Sequence, residues 1–263
     1  MRDNSFSWIY TQFVSENIFI NIIIHETDMF GLNQVKYSSI TYSDKNGKHG
    51  YSKNQRPIHT IFSRISNNKL SVDYSDDIIS IVGMIEYDSS LSFQSILNKE
   101  KSGQISCWDV TIPHGKFLGK IKFESKVITS ETFVYQDKQH GNLPIQSFLN
   151  QWGWSVTVNN HITNGMFSIL SKDNKPITIK FSCDGKTISK KTSTTFDKNW
   201  VDYLGKLWDA PHNDYRTKDF DVENIVIRKR IREKHDGFQM TYYRYVCKTD
   251  SSICGACEYM KIN

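Results

Sequence analysis

The segment Phe133–Phe148, "FVYQDKQHGNLPIQSF", places a phenol and a carboxyl two residues apart within strand-forming sequence. Side chains at positions i and i+2 of a strand share a face, so Tyr135 and Asp137 should lie side by side. If that face is apolar, desolvation raises the pKa of the Asp137 carboxyl and makes it a usable proton donor. The alternative is an exposed aspartate in a turn, stabilised by local backbone hydrogen bonds.

Tryptophans near this segment in the chain could form such an apolar surface. The candidates are Trp108, Trp152 and Trp154. If these rings line the interior of a barrel, they would desolvate the Asp137 carboxyl and raise its pKa. The sequence therefore offers Asp137 as a candidate acid, with Tyr135 beside it.

Other motifs with chemical potential are weak or missing. The eight histidines are scattered without a spacing suited to a metal, and the chain has no GxSxG, P-loop or GxGxxG motif. The "CGAC" stretch, Cys254–Cys257, precedes "EYMKIN" and no second ligand pair accompanies it. We interpret it as small residues in a last strand, and we expect neither a cofactor nor a metal.

The composition is that of a globular protein. Of 263 residues, 38% are apolar and 23% are charged, so disorder is excluded and one large or two small domains fit. No apolar run approaches the roughly 18 residues that span a bilayer, and the N-terminus lacks a long apolar signal core. An odd number of cysteines, five, is also unlike a secreted disulfide framework. These features predict a cytoplasmic protein without a membrane span.

A basic run between Arg228 and Lys234, with a net charge of +5, raises nucleic-acid binding as an interpretation. Charges on one strand more often protect a sheet edge, and no zinc-finger or RNA-recognition motif accompanies them. We therefore expect no nucleic-acid partner. An interaction module that uses this strand is the most distant alternative for function.

Period-two alternation recurs along the chain and predicts about fifteen antiparallel strands. The stretches "KDNK" and "CDGK" are hairpin turns in this pattern. A single open sheet of so many strands would be unfavourable, because its edge strands expose unpaired backbone groups. Closure into barrels removes these edges. Gly and Pro within residues 138–147 predict a boundary between an N-terminal barrel, 1–137, and a C-terminal barrel, 138–263.

One segment, "FDKNWVDYLGKLWDAP", departs from this pattern. Trp200, Leu204, Leu207 and Trp208 recur at helical spacing, and Asp197 stands where a helix N-cap would be. The segment is either a helix or a further strand.

The block from Cys107 to Val156 resembles the central block of the AttH-like and carotenoid 1,2-hydratase (hydroxyneurosporene synthase) superfamily, which includes tocopherol cyclases and lipocalin-type Diels–Alderases. Two outer pieces are similar as well: "WIY" at Trp8–Tyr10, and "LWDAPHNDY" at residues 207–215. The matching positions, in order, are Trp8, Tyr10, Trp108, Pro113, Gly119, Tyr135, Asp137, Gly141, Trp152, Trp154, Trp208, Pro211 and Tyr215.

The resemblance implies an all-β chain of two consecutive lipocalin-like barrels, with strand rather than helix at residues 197–208. It implies a cyclase, pericyclase or hydratase that acts on an apolar polyene or polyketide-like molecule bound in or between the barrels. Asp137 and Tyr135 would be catalytic. Trp8, Tyr10 and His140 would join the three tryptophans in binding the substrate.

Three positions depart from the family pattern. Lys138 replaces the usual His of the turn motif, His140 replaces its Trp, and Ser106 stands where the hydratases have His. The missing histidine at Ser106 weighs against carotenoid hydration. The altered turn motif, with Lys138 and His140, favours the alternative function, a lipocalin-like protein that binds a hydrophobic molecule without converting it.

Overall fold

The computed structural model describes residues 5–27, 37–44, 49–54, 61–99, 103, 105–124, 126–206, 215–217, 220–235, 238–249 and 252–263. Most of these residues are in strands, which form two antiparallel sheets that follow one another along the chain. The predicted all-β class is confirmed. None of the described helices combines the length and the apolar character that crossing a bilayer requires.

The first sheet is curled and uses the N-terminal half of the chain. Its central path runs β4-β3-β2-β1-β11-β9-β7-β6-β5, and both β8 and β10 pair with β9. The strands are β1 (Phe6–Val14), β2 (Ile18–Thr27), β3 (Tyr37–Asp44), β4 (His49–Asn54), β5 (Phe62–Ser66), β6 (Lys69–Ser75), β7 (Ile79–Tyr87), β8 (Phe93–Lys99), β9 (Ile105–Phe123), β10 (Lys126–Ile128) and β11 (Thr132–Gly141).

The second sheet uses the C-terminal half, in the order β15-β14-β13-β12-β19-β18-β17-β16. The predicted turns join β13 to β14 and β14 to β15, where Asn174 (φ 58°) and Gly185 (φ 83°) adopt left-handed backbone. The strands are β12 (Leu149–Val158), β13 (Thr163–Ser171), β14 (Pro176–Cys183), β15 (Ile188–Ser193), β16 (Tyr215–Thr217), β17 (Phe220–His235), β18 (Phe238–Thr249) and β19 (Ser252–Ile262).

Strand β2 shows how the apolar pattern divides the core. Ile20 and Ile22 belong to a cluster formed by the first sheet alone, whereas Phe19 and Ile23 alternate with them and belong to a second cluster. The second cluster contains residues from both sheets, and we call it the inter-sheet cluster. Because successive side chains of a strand point to opposite faces, a strand with apolar residues on both faces, such as β2, can serve two cores.

The segment with helical spacing is a helix, α2 (Lys198–Lys206), and the strand interpretation favoured by the resemblance is wrong. Asp197 caps it, because its Oδ1 accepts a hydrogen bond of 3.2 Å from the Trp200 backbone N–H. Trp200, Val201 and Leu204 are buried against the second sheet. Leu207, Trp208 and Pro211 lie outside the described residues. A single turn, α1 (Ile145–Phe148), precedes β12.

The predicted domain boundary after residue 137 falls within β11. Residues 138–141 still pair with both β1 and β9, and the second sheet begins at Leu149. We therefore propose residues 142–148 as the linker between the two units.

Two interpretations of the C-terminal region can be compared with the fold. The "CGAC" stretch lies in the last strand, β19, as expected. A Cβ on Gly255 would lie 2.2 Å from the Val156 carbonyl oxygen, so the small residue permits close strand approach. The basic run Arg228–Lys234 pairs with β18 on one side, and no other described strand pairs with that run.

Candidate functional site

Asp137 lies in the middle of the first sheet, on β11 between β1 and β9. Its direct neighbours across the two ladders are Tyr10 and Val110. The side chain is completely buried, so the interpretation of Asp137 as an exposed turn residue is wrong. As predicted, Tyr135 lies beside it on the same face, and it is equally buried.

The Asp137 carboxyl is held through one of its two oxygens. Oδ2 accepts a hydrogen bond of 2.7 Å from the Tyr135 hydroxyl and one of 2.9 Å from Trp108 Nε1. Oδ1 is buried and has no hydrogen-bond partner among the described residues. A buried oxygen without a partner is energetically costly, and such an atom often marks a binding or catalytic position.

Burial raises the pKa of Asp137 to about 7. The hydrogen bonds from Trp108 and Tyr135 lower the pKa, because they stabilise the carboxylate, but they do not offset the desolvation. The charge of Glu258 raises it further; the indole of Trp154 lowers it, although Trp154 Nε1 makes no hydrogen bond of ordinary geometry. Asp137 is therefore an acid that titrates near neutrality.

Tyr135 remains a neutral donor to this acid. Burial, followed by the charge of Asp137, raises the pKa of the Tyr135 phenol well above its usual value. Because Oδ2 already accepts hydrogen bonds from Tyr135 and Trp108, we expect the proton of the neutral acid on Oδ1. The arrangement thus directs the acidic proton to the oxygen that has no protein partner.

Aromatic rings from both sheets surround this acid. Tyr10 contacts Trp154 edge-on with a centroid separation of 4.8 Å, and Trp108 contacts Phe167 in the same manner at 5.2 Å. Tyr135 stacks on Phe181 at 6.0 Å. Such rings provide apolar surface and negative π faces in one enclosed layer.

Trp8 and Trp152 extend this layer away from Asp137. Their ring centroids are 6.3 Å apart, and both side chains are buried. The indole nitrogens of Trp152 and Trp154 are buried without a hydrogen-bond partner among the described residues. The inter-sheet cluster therefore contains Trp8, Tyr10, Trp108, Trp152 and Trp154, five of the six predicted binding residues.

His140, the sixth, lies on the opposite face of β11. Its Nε2 is 2.9 Å from Asp109 Oδ2, and a third of its side chain is exposed. It sits three residues after Asp137, an odd offset that places the two side chains on opposite faces of a strand. His140 therefore does not join the aromatic layer. The side chains of Trp208 and Tyr215 lie outside the described residues.

Sequence reasoning missed a buried ion pair close to the acid. Arg244 donates a 2.7 Å hydrogen bond from Nε to Glu258 Oε1, and Nη1 lies 3.3 Å from Asn21 Oδ1. The Arg244 guanidinium carbon is 5.9 Å from the centroid of the Tyr10 ring. A lone arginine in the aromatic run "YYRYV" was the available indication, but its partner is set by the register between β18 and β19.

No protein family matches the sequence, and no curated protein does either. Solved structures do match. A candidate AttH protein from Nitrosomonas europaea has a TM-score of 0.56 at 12% identity, covering 100% of this chain and 93% of that protein. The structure of CghA with Sch210972 has a TM-score of 0.58 at 9% identity, and the match covers 98% of this chain and 88% of CghA. The structure of CghA alone has a TM-score of 0.51 at 7% identity, and the match covers 98% of this chain and 87% of CghA.

The chain has the AttH-like fold. At identities of 7–12% this likeness concerns the fold, and it confirms the two-barrel architecture that the sequence resemblance implied. It says nothing about the roles of individual residues in this chain.

The space around Asp137 is filled by side chains. Its side chain is completely buried, with no exposed surface. A cleft of about 460 Å³ is lined by Val110 and Gln136, among others, but not by Asp137. A ligand that reaches Oδ1 must therefore displace aromatic rings from their positions in this structure.

Proposed function

We propose that the protein binds an apolar, unsaturated small molecule, polyene-like or polyketide-like, between its two sheets and that Asp137 promotes its cyclisation. The observation that carries the proposal is a fully buried carboxyl, with a pKa of about 7, whose Oδ1 has no partner among the described residues. The aromatic layer around it fits such a substrate. The structure of CghA with Sch210972 supports small-molecule binding by this fold.

Because the pKa is about 7, both the neutral acid and the carboxylate are populated near neutral pH. The Oδ1–H group can then protonate an alkene or donate a hydrogen bond to a substrate carbonyl. After a proton transfer, Tyr135 and Trp108 stabilise the carboxylate through the hydrogen bonds that they already make. The ring faces of Trp154 and Tyr10 stabilise positive charge on the substrate.

In the pericyclic form of this reaction no proton moves. The aromatic layer folds the substrate so that the reacting carbons approach one another, which removes much of the entropic barrier. A hydrogen bond from Asp137 to a carbonyl conjugated with the dienophile lowers the remaining barrier. Hydration of an alkene would start from the same protonation, but Ser106 replaces the histidine of the hydratase pattern.

Binding without conversion is the second candidate. It is favoured by the packing, since the side chain of Asp137 is completely buried. In this case the buried acid would serve only to orient a ligand by one hydrogen bond.

Asp137→Asn separates these functions, because asparagine keeps the shape and removes the acid. The variant is purified, and the small molecule that remains bound is identified by mass spectrometry and supplied to the wild type. A product of equal mass indicates cyclisation, and a product heavier by one water indicates hydration. We expect conversion to fall by about 10²–10⁴-fold in the variant while the affinity changes little.

Asp202→Asn, on helix α2, is the matched control, because it makes the same substitution outside the inter-sheet cluster. It should convert the compound at the wild-type rate. Equal conversion by wild type and Asp137→Asn would show that Asp137 is not the acid. Binding with no conversion by either would establish the second candidate.

A further inference from the structure

Three side chains of different chemistry meet on the face of β9 and β11 opposite Asp137. They are Cys107 and Asp109 on β9 and His140 on β11. Cys107 and His140 are direct cross-strand partners. Their sulfur and nitrogen atoms and a carboxylate oxygen of Asp109 all lie within 4.8 Å of one another.

We propose that Cys107, Asp109 and His140 form a binding site for a divalent transition-metal ion, with Zn²⁺ as the best fit. A thiolate, an imidazole and a carboxylate are the ligand types that zinc prefers. Bond lengths of roughly 2.0–2.3 Å place tetrahedral ligand atoms about 3.3–3.8 Å apart. Side-chain rotations that displace the ligand atoms by about 1 Å would bring the three atoms to that geometry, without movement of the strands.

The surroundings of Asp109 leave it free to bind a metal. Its Oδ1 is buried and has no hydrogen-bond partner among the described residues. Its Oδ2 lies at hydrogen-bond distance from Nε2 of His140. Lys138 is its cross-strand neighbour, but the Lys138 ammonium donates to Glu26 Oε2 at 3.0 Å. Among the described residues the carboxylate thus has no lysine partner, and a bound cation would supply a positive charge.

A metal ion can reach this position from solvent. Asp109 lines the cleft of about 460 Å³, and a third of the His140 side chain is exposed. Cys107 is buried, and burial, followed by the charge of Asp109, raises the pKa of its thiol. Without metal it is a neutral thiol, and binding would release its proton. Three protein ligands leave a fourth position for water or a substrate atom, as in catalytic zinc sites.

This site is separate from the proposed function. Trp108, whose indole holds Asp137, lies between Cys107 and Asp109 in sequence and points to the other face of the sheet. Metal binding can therefore be measured without a substrate. Its failure would not affect the proposal for Asp137, and the reverse is also true.

Cobalt titration of the full chain tests the site. The protein is stripped with a chelator under reducing conditions and titrated with Co²⁺, which reports thiolate ligation by a near-ultraviolet charge-transfer band. We expect one equivalent of Co²⁺ to bind and to produce this band. Added Zn²⁺ should displace the Co²⁺ and abolish the band. Cys107→Ser should abolish the band, and His140→Ala should weaken the affinity by about tenfold or more.

Two other cysteine variants make the result specific. Cys183→Ser replaces a buried free cysteine on β14 and should leave the band unchanged. Cys254→Ser tests the CxxC stretch in the same way. No band in the wild type, or a band that survives Cys107→Ser, would overturn the proposal. If Cys107→Ser does not fold, His140→Ala decides, because the His140 side chain is one-third exposed and can be truncated without opening the core. Unchanged Zn²⁺ affinity in that variant overturns the proposal.

Discussion

Asp137 and Glu258, two buried acids among the described residues, are satisfied in opposite ways. Asp137 is held by uncharged donors, the Tyr135 hydroxyl and the Trp108 indole, and burial raises its pKa to about 7. Glu258 is held by the guanidinium of Arg244, through contacts from Nε and Nη2. The two acids sense each other, since the charge of Glu258 contributes to the raised pKa of Asp137.

The difference shows what a counterion does in a dry environment. A full positive charge at hydrogen-bond distance compensates the desolvation of a carboxylate, and removal of either partner then leaves a buried charge. Neutral donors provide only part of that compensation, so burial still raises the pKa of Asp137. One acid is thus structural, and the other is available for chemistry at neutral pH.

The largest effect is expected from Arg244→Met. It leaves Glu258 buried without its partner, and we expect the free energy of unfolding to fall by about 3–5 kcal/mol in urea denaturation. Lys198→Met, in the exposed Lys198–Asp202 pair, should change stability little. The double variant Arg244→Met with Glu258→Met should recover much of the loss. A single variant as stable as the wild type would contradict the ion-pair assignment.

The pH dependence of stability tests the other half of the comparison. The pKa of Asp137 is about 7 in the folded chain against an ordinary 3.8, so the folded state binds more protons between these values. The free energy of unfolding must therefore fall as pH rises from about 4 to about 7, by up to about 4 kcal/mol from this group. Asp137→Asn lacks the effect.

The measurement for this prediction is the wild-type stability minus that of Asp137→Asn, followed across the same pH range. The subtraction removes the contributions of all other titrating groups. A difference that stays constant with pH would mean that Asp137 titrates in its ordinary range.

A smaller effect is expected from Trp108→Phe, which removes one donor to Asp137 Oδ2. That hydrogen bond lowers the pKa of Asp137, so its loss should raise the pKa above about 7. Above that pH the variant should lose about 1.5–3 kcal/mol of stability, as is typical for a hydrogen bond to a charged group. Tyr135→Phe should shift the pKa in the same direction. Carboxyl ¹³C NMR titration measures both shifts, and a lower pKa in either variant would contradict this geometry.

The pattern of strands was predictable because alternation and turn chemistry are local. The hairpin turns around Asn174 and Gly185 and the cap at Asp197 are cases in which neighbouring residues decide the structure. The resemblance was less reliable for residues 197–208, where it favoured a strand. There the helical spacing of Trp200 and Leu204, which pack on the second sheet, was the better guide.

The side-by-side placement of Tyr135 and Asp137 also followed from the sequence, because i and i+2 share a face in any strand. The face that they occupy did not. Burial depends on the second sheet, whose rings from Trp154 and Phe181 cover them. The same alternation placed His140 on the far side of β11, where only the register with β9 brings it to Cys107 and Asp109.

The sequence by itself determined the strands, their turns, and the pairing of a phenol with a carboxyl, since each depends on residues within a few positions of one another. Only the tertiary structure decided that the carboxyl is dry, that Arg244 meets Glu258, and that three ligand-type side chains converge across two strands. These outcomes depend on the register and packing of segments far apart in the chain. The conformational preferences of neighbouring residues do not specify which distant segments pair or pack together.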